Sequence, residues 1–353
     1  MKRLIKIGEL ETGKFNNICD VSGVKVGHST LEEGPFHTGV TAILPHEGNM
    51  FREKVVGAQF AFNGFGKSIG LMQIEELGSI ETPILLTATL NVTKVADGLV
   101  DYMLEQNPDI CVSTSTVNPI VMECNDASIS DLRKKPLDYK NVIEAINNAK
   151  SDFLEGNVGA GCGMKCHGFK GGIGSSSRIV KVGDKSFTIG ILVNSNFGSS
   201  NGKDLIIKGR HMGDLIKDYN LKAEEDKGSI VVVLATDAPL DSRQLKRLLK
   251  RTEIGIGRTG SYAGNGSGDV MVGFSTAQII KHYEENVTVP FTRFTEDYIN
   301  MLFKATVEAT EEAVLNSMLH SSSVVSYTGI KVKSLNEYKE LFKDFLLENK
   351  NEK

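Results

Sequence analysis

The sequence lacks the features that mark several protein classes. No apolar run in its 353 residues approaches the ~20 needed to cross a bilayer, so no membrane-spanning helix is expected. The opening stretch MKRLIKIGELETGK carries basic residues without a following apolar core, and so provides no secretion signal. The five cysteines (Cys19, Cys111, Cys124, Cys162 and Cys166) are odd in number and lack disulfide-scaffold spacing. A reducing cytoplasm is therefore the expected compartment. A formal net charge of −4 is too small to draw the chain to nucleic acid or an anionic membrane. Proline is scarce, with 8 residues against 36 glycines. Glycines that cluster in a few stretches point to backbone turns near a site.

With 40% hydrophobic and 24% charged residues, the composition is that of a globular protein with a sizeable core. The first part is rich in short strand signals. NICDVSGVKVGHSTL alternates and turns at Ser22-Gly23, TGVTAILP stops at Pro45, and VVGAQFAFNGFGK turns at Asn63-Gly64. A short helix ending at Gly78 and a strand from Pro83 follow. Apolar residues at Val95, Leu99, Val100, Met103 and Leu104 predict a helix that stops before Pro108. NVIEAINNAK predicts an amphipathic helix, and RIVKV and FTIGILVNSN predict two strands. Residues 199–227 are polar with one apolar patch, DLIIKG, and form the best linker candidate. Beyond them come a strong strand from Ile230 to Ala235, a helix capped by Asp241 or Ser242, a strand VMVGFSTAQ, and a long helix over 294–321. Strands and helices in separate blocks predict sheets with helices on their outer faces.

Three motifs bear on chemistry. The glycine-rich stretch over 155–178 lacks the Walker ending, and GNVGAGCG matches the dinucleotide fingerprint only loosely, so it predicts a loop lining a site and no nucleotide. Within it, Cys162, Cys166 and His167 form a C-x3-C-H fragment with no second ligand pair, which predicts buried thiols and no metal. GNGSGD carries Ser267 and Asp269 two residues apart, a spacing that puts both on one side of an extended backbone. It is either a plain turn or a proton-handling pair.

The third motif is the seam at Gly228-Ser229, where the charged run AEEDK gives way to five aliphatic residues, Ile230 to Leu234. An ordinary loop-to-strand boundary would look the same. Alternatively, Ser229 Oγ attacks the Gly228 carbonyl, an ester forms and is hydrolysed, and Ser229 keeps a free α-amine of pKa ~8. A nucleophile with its own amine as base is an established activation scheme.

Together, DVSGVKVGHSTL, TGVTAILPHEGNMFREKV, NGFGKSIGLMQIEELGSIETPILLT, GNVGAGCGMKCHGFKGGIGSSSR, GSIVVVLATDAPL, the GIGRTGS and GNGSGD pair, and EAVLNSM resemble the DmpA-type L-aminopeptidase/D-esterase and β-aminopeptidase family, peptidase family S58. The resemblance runs from about Asp20 to about Gly329. It implies an α/β fold, a four-layer αββα sandwich of the DmpA and ornithine acetyltransferase kind, in one self-processing domain spanning 1–353. Cleavage at Gly228-Ser229 would give pieces 1–228 and 229–353. The resemblance assigns catalysis to Ser229 as nucleophile, Ser267 and Asp269 as the orienting pair, and Asn196 as an oxyanion donor. Glu123 is the candidate for binding the substrate's ammonium. No metal or organic cofactor is implied.

Two positions depart from the family pattern. Cys162 replaces a threonine, and ECNDASISDL, with Ala127 and Ser128, has no aromatic where relatives carry a tyrosine. The activity implied is release of an N-terminal residue from small peptides, amides or esters, by a homo-oligomer of processed αβ units. Two alternatives stay open. One is an acyltransferase of the ornithine acetyltransferase type, in which an amine intercepts the acyl-enzyme. The other is a non-catalytic binding homologue.

Overall fold

The computed structural model describes residues 3–199, 201–213, 215–216 and 228–347. The strands of its two main sheets are β1 (Lys25–Glu33), β2 (Phe36–Leu44), β3 (Glu53–Gly64), β4 (Ser79–Ile80), β5 (Ile84–Ala88), β6 (Ile120–Cys124), β7 (Gly172–Val182), β8 (Lys185–Asn196), β9 (Ser229–Thr236) and β10 (Gly268–Lys281). The helices are α1 (Leu71–Leu77), α2 (Val92–Gln106), α3 (Tyr139–Asn147), α4 (Ser242–Arg258) and α5 (Ile299–Leu319). One sheet has four strands in the order β1-β2-β5-β6; the other has six in the order β4-β3-β10-β9-β8-β7.

Side-chain alternation along these strands makes four layers. Val40, Ala42, Leu85 and Val121 point outward from the first sheet and pack on Val95, Leu99 and Val142 of α2 and α3. Ile43, Leu86 and Met122 point inward and meet Val231, Val233, Val270 and Val272 of the second sheet. Ile230, Val232, Leu234 and Met271 face the other way, onto Leu245, Leu248 and Leu249 of α4 and Leu302, Ala309 and Ala313 of α5. The unbroken apolar run of β9 follows from this arrangement, since a central strand buried on both faces has no polar side to show. The architecture is the expected αββα sandwich. Among the described residues, no helix is long and apolar enough to cross a membrane.

Local signals behave as the sequence leads one to expect. Gly78 ends α1 at φ 63°, and Asp241 caps α4 in a reciprocal box. Its carboxylate accepts from Gln244 N–H at 2.7 Å, and Gln244 Oε1 accepts from Asp241 N–H at 3.3 Å. Three expectations need correction. The glycine-rich stretch is a loop only in its first part; from Gly172 it is the edge strand β7. The glycines there serve packing: a Cβ on Gly174 would stand 2.1 Å from the Ala313 carbonyl oxygen of α5. The polar linker is ordered where it is described. Leu205, Ile207 and Met212 are buried in the helix-side core beside a small hairpin, Ile206–Ile207 with Arg210–His211. The rest of that linker, including 217–227, lies outside the described residues. The long helix begins at Ile299, after a single 3-10 turn at Glu296–Tyr298.

A buried charge cluster fastens the N-terminal segment to the sandwich. Arg178 of β7 is fully buried, and it donates to Glu312 Oε2 at 2.8 Å and to the Ile7 carbonyl at 2.5 Å. Glu312 also accepts from Ile7 N–H at 2.7 Å. Removing one partner strands the other charge in a low-dielectric interior. Arg178→Met is therefore expected to cost roughly 3–5 kcal/mol of stability, read as a lowered midpoint in urea denaturation. A loss well under 1 kcal/mol would mean that water reaches the cluster.

Candidate active site

Several strand ends meet at one end of the sandwich. β8 finishes at Asn196, β9 starts at Ser229, β10 starts at Gly268, β3 finishes at Gly64, and β6 of the facing sheet finishes at Cys124. Ser229 pairs with Asn196 on its antiparallel side and with Gly268 on its parallel side. Its side chain shares the face of Val231 and Val233, toward the space between the sheets. Cys124 lies there too. Burial pushes its thiol well above the ordinary value, while a hydrogen bond with the Ser229 side chain opposes that shift. The Cys124 thiol also donates to the Asn194 carbonyl at 3.4 Å.

Asn196 is held at both ends of its amide. Its Oδ1 accepts from Lys165 N–H at 2.9 Å, and its Nδ2 donates to the Asn125 carbonyl at 3.0 Å. The same Nδ2 stands 3.4 Å from Ser229 Oγ. A side-chain N–H donor is thereby fixed beside the hydroxyl.

Gly228 is pressed between strands. Its carbonyl accepts from Gly268 N–H at 3.3 Å, and a Cβ at this position would stand 2.1 Å from the Asn196 carbonyl oxygen. No side chain fits before Ser229, so the glycine at the seam follows from packing.

Ser267 and Asp269 come together, with the serine hydroxyl donating to Asp269 Oδ1 at 2.7 Å. Both are buried. Asp269 is the register partner of Ile230, and its side chain shares the face of Met271, on the helix side of the sheet. The pair therefore lies on the face opposite to that of Ser229 Oγ. Asn63 Nδ2 donates to the Gly264 carbonyl at 2.7 Å and anchors the turn that carries Ser267. On α4, burial pushes the Glu253 carboxyl up to about 8, and the charge of Asp269 adds to the shift.

Glu123 is buried near the end of β6. Its Oε1 accepts from Lys67 N–H at 2.8 Å, and Thr89 Oγ1 donates to its Oε2. It sits one residue before Cys124 and beside Gly66, whose neighbour Phe65 abuts Gly268. All five sequence-nominated side chains thus lie on strand ends or turns at this end of the sandwich. The Cys162, Cys166 and His167 fragment does not gather into a ligand set among the described residues. Sequence reasoning missed Cys124, Asn125, Lys165 and Glu253. Three of them act through backbone groups or a buried thiol, and Glu253 reads as one more charged residue of an amphipathic helix.

A four-layer αββα sandwich with a serine heading its central strand defines the class, a variant of the N-terminal-nucleophile hydrolase fold. The chain belongs to peptidase family S58, whose sequence pattern matches residues 16–332. It is 36% identical over 343 residues to the β-peptidyl aminopeptidase BapA of Sphingosinicella xenopeptidilytica, covering 91% of this chain and 84% of that protein. A solved structure of a Pyrococcus horikoshii OT3 protein is 48% identical with a TM-score of 0.92, over 97% of this chain and 98% of that one. The L-aminopeptidase D-Ala-esterase/amidase of Ochrobactrum anthropi, described as a variant of the Ntn hydrolase fold, is 32% identical with a TM-score of 0.89, over 96% of each chain.

Proposed function

We propose that the chain cuts itself at Gly228-Ser229 and that Ser229 then serves as the nucleophile of the mature enzyme. Membership of family S58 and likeness to aminopeptidases over nine-tenths of the chain make it a serine aminopeptidase. They do not favour the acyltransferase alternative. The observation that carries the residue assignment is the position of Ser229 at the head of β9, with the Asn196 amide 3.4 Å from its hydroxyl.

The chemistry follows from that placement. In processing, Ser229 Oγ adds to the Gly228 carbonyl carbon, and the Gly268 N–H already on the carbonyl oxygen steadies the developing charge. The C–N bond breaks with protonation of the Ser229 nitrogen, and water hydrolyses the resulting ester. The freed α-amine, of ordinary pKa ~8, then takes the hydroxyl proton when Oγ attacks a substrate carbonyl. Ser267 and Asp269, on the face that flanks this nitrogen, hold and orient it. Asn196 Nδ2 donates to the substrate oxyanion, a contribution typically worth ~3–4 kcal/mol of barrier. The buried Glu123 carboxylate receives the substrate's ammonium. Collapse of the tetrahedral intermediate expels the amine, and water releases the acyl group. Substrates are small peptides, amides or esters with a free amino end. We assign the processed αβ units to a cytoplasmic homo-oligomer.

Intact-mass analysis and N-terminal sequencing of purified protein test the assignment, together with hydrolysis of amino-acid p-nitroanilides with and without an acceptor amine. Two pieces are expected, the second beginning at Ser229, with hydrolysis insensitive to the acceptor. A stable single chain with full activity would overturn the processing step.

A further inference from the structure

The turn Gly159–Cys162 of the glycine-rich loop takes no part in the chemistry above, yet it meets the β1–β2 hairpin in an unusual way. Glu32 and His37 face each other across that hairpin, with His37 Nδ1 3.3 Å from Glu32 Oε1. Cys162, a buried free thiol, closes the group: one ligand atom from each of the three residues lies within 4.8 Å of the others. His37 Nδ1 is buried and makes no well-formed hydrogen bond with any described residue; its close polar neighbour is the Glu32 carboxylate at 3.3 Å.

We propose that Glu32, His37 and Cys162 form a binding site for a zinc-class divalent cation, with water completing the coordination. A thiolate, an imidazole and a carboxylate are the donors that zinc takes in protein sites, whereas calcium and magnesium favour oxygen alone. Zn–N and Zn–O bonds of about 2.0 Å in tetrahedral geometry put nitrogen and oxygen ligands about 3.3 Å apart. The separation of His37 and Glu32 matches that spacing.

The donors are held before any ion arrives. Gly159 N–H donates to Thr30 Oγ1 at 2.7 Å and Ala160 N–H to Thr41 Oγ1 at 3.1 Å, which ties the loop to the hairpin. Ser130 Oγ accepts from His37 N–H at 3.0 Å. The Glu32 side chain is 53% exposed and gives an ion its way in. Lys170, buried nearby, points its ammonium at the Gly161 and Gly171 carbonyls, at 2.9 and 2.8 Å. Its repulsion of a dication is offset by the Glu32 carboxylate, whose charge acts on it.

The expectation of no metal considered Cys162 only with Cys166 and His167. The other two donors lie 125 or more positions earlier in the chain, beyond any local spacing rule. The inference is independent of the role given to Ser229.

Cobalt(II), a spectroscopic stand-in for zinc, tests it on the full-length protein after chelator treatment. One equivalent should give a thiolate-to-cobalt charge-transfer band, which zinc then displaces. Glu32→Gln, His37→Asn and Cys162→Ser should each weaken cobalt binding by at least ~10-fold, since even loss of an outer-shell partner typically costs 10–100-fold. Cys111→Ser, which alters the exposed cysteine, should leave the band unchanged. If Cys162→Ser fails to fold, the hairpin variants decide, because Glu32 is exposed and tolerates a neutral isostere. Absence of the band in the unmodified protein, or undiminished affinity in Glu32→Gln and His37→Asn, overturns the proposal.

Discussion

Replacing Ser229 with alanine is expected to give a folded, uncut chain with no hydrolytic activity. Alanine removes the atom that attacks the Gly228 carbonyl, so no ester forms and no α-amine is released. The fold should survive. The lost hydroxyl is small, its contact with Asn196 Nδ2 is long at 3.4 Å, and the aliphatic run behind it is untouched. Asn196 keeps its partners at Asn125 and Lys165. Cysteine at the same position separates the two roles of the residue. A thiol ionises more easily than a hydroxyl and keeps a similar shape, so slow processing is expected. Turnover should fall further than processing, because processing needs one event and catalysis many. Denaturing gels and p-nitroanilide hydrolysis across the three proteins make the comparison. Cleavage before residue 229 in the alanine variant, or any retained hydrolysis, would remove Ser229 from the nucleophile's place.

How far the sequence reveals this arrangement varies by residue, for physical reasons. The seam at 228–230 is legible because a central strand buried on both faces must be continuously apolar. The cap at Asp241 is legible because capping is a local event within four residues. The second half of the edge strand β7 is legible as RIVKV, while its first half is hidden, since its glycines look like loop until the approach of α5 is known. Burial of Leu205, Ile207 and Met212 was hidden for a similar reason: a short apolar patch in a polar stretch reveals burial only through partners far along the chain. In the site, the two-residue spacing of Ser267 and Asp269 was enough to predict a shared face. Nothing local could show that this face is opposite to that of Ser229 Oγ, because the register of β9 against β10 decides it. The supports of Asn196 were equally invisible. They are a backbone N–H at Lys165 and a carbonyl at Asn125, and any residue type could supply either.

Ser267→Ala and Asp269→Asn are expected to lower turnover by about 10²–10⁴-fold, the usual effect of losing a proton-handling group. The placement explains why. With Oγ facing the inter-sheet space and the pair on the other face, the proposed mechanism gives Ser267 and Asp269 the nitrogen that would become the α-amine, not the hydroxyl. Asparagine keeps the size of Asp269 but loses the charge that holds an ammonium, so the amine's proton affinity should drop with it. Alanine at Ser267 removes the 2.7 Å donor to the Asp269 carboxylate. Leaving a buried acceptor without its donor costs roughly 1–3 kcal/mol of stability, less than the barrier increase that a loss of 10³–10⁴-fold represents. The two residues form one unit, so the double variant should lose little more than the worse single one. The pH–rate profile is the readout that a purely structural role would not move. Its alkaline-rising limb, set by the Ser229 amine, should shift to lower pH in Asp269→Asn, because removing the negative neighbour makes the ammonium lose its proton more easily. Normal processing with near-unchanged turnover in both variants would reduce the pair to a well-bonded turn at the start of β10.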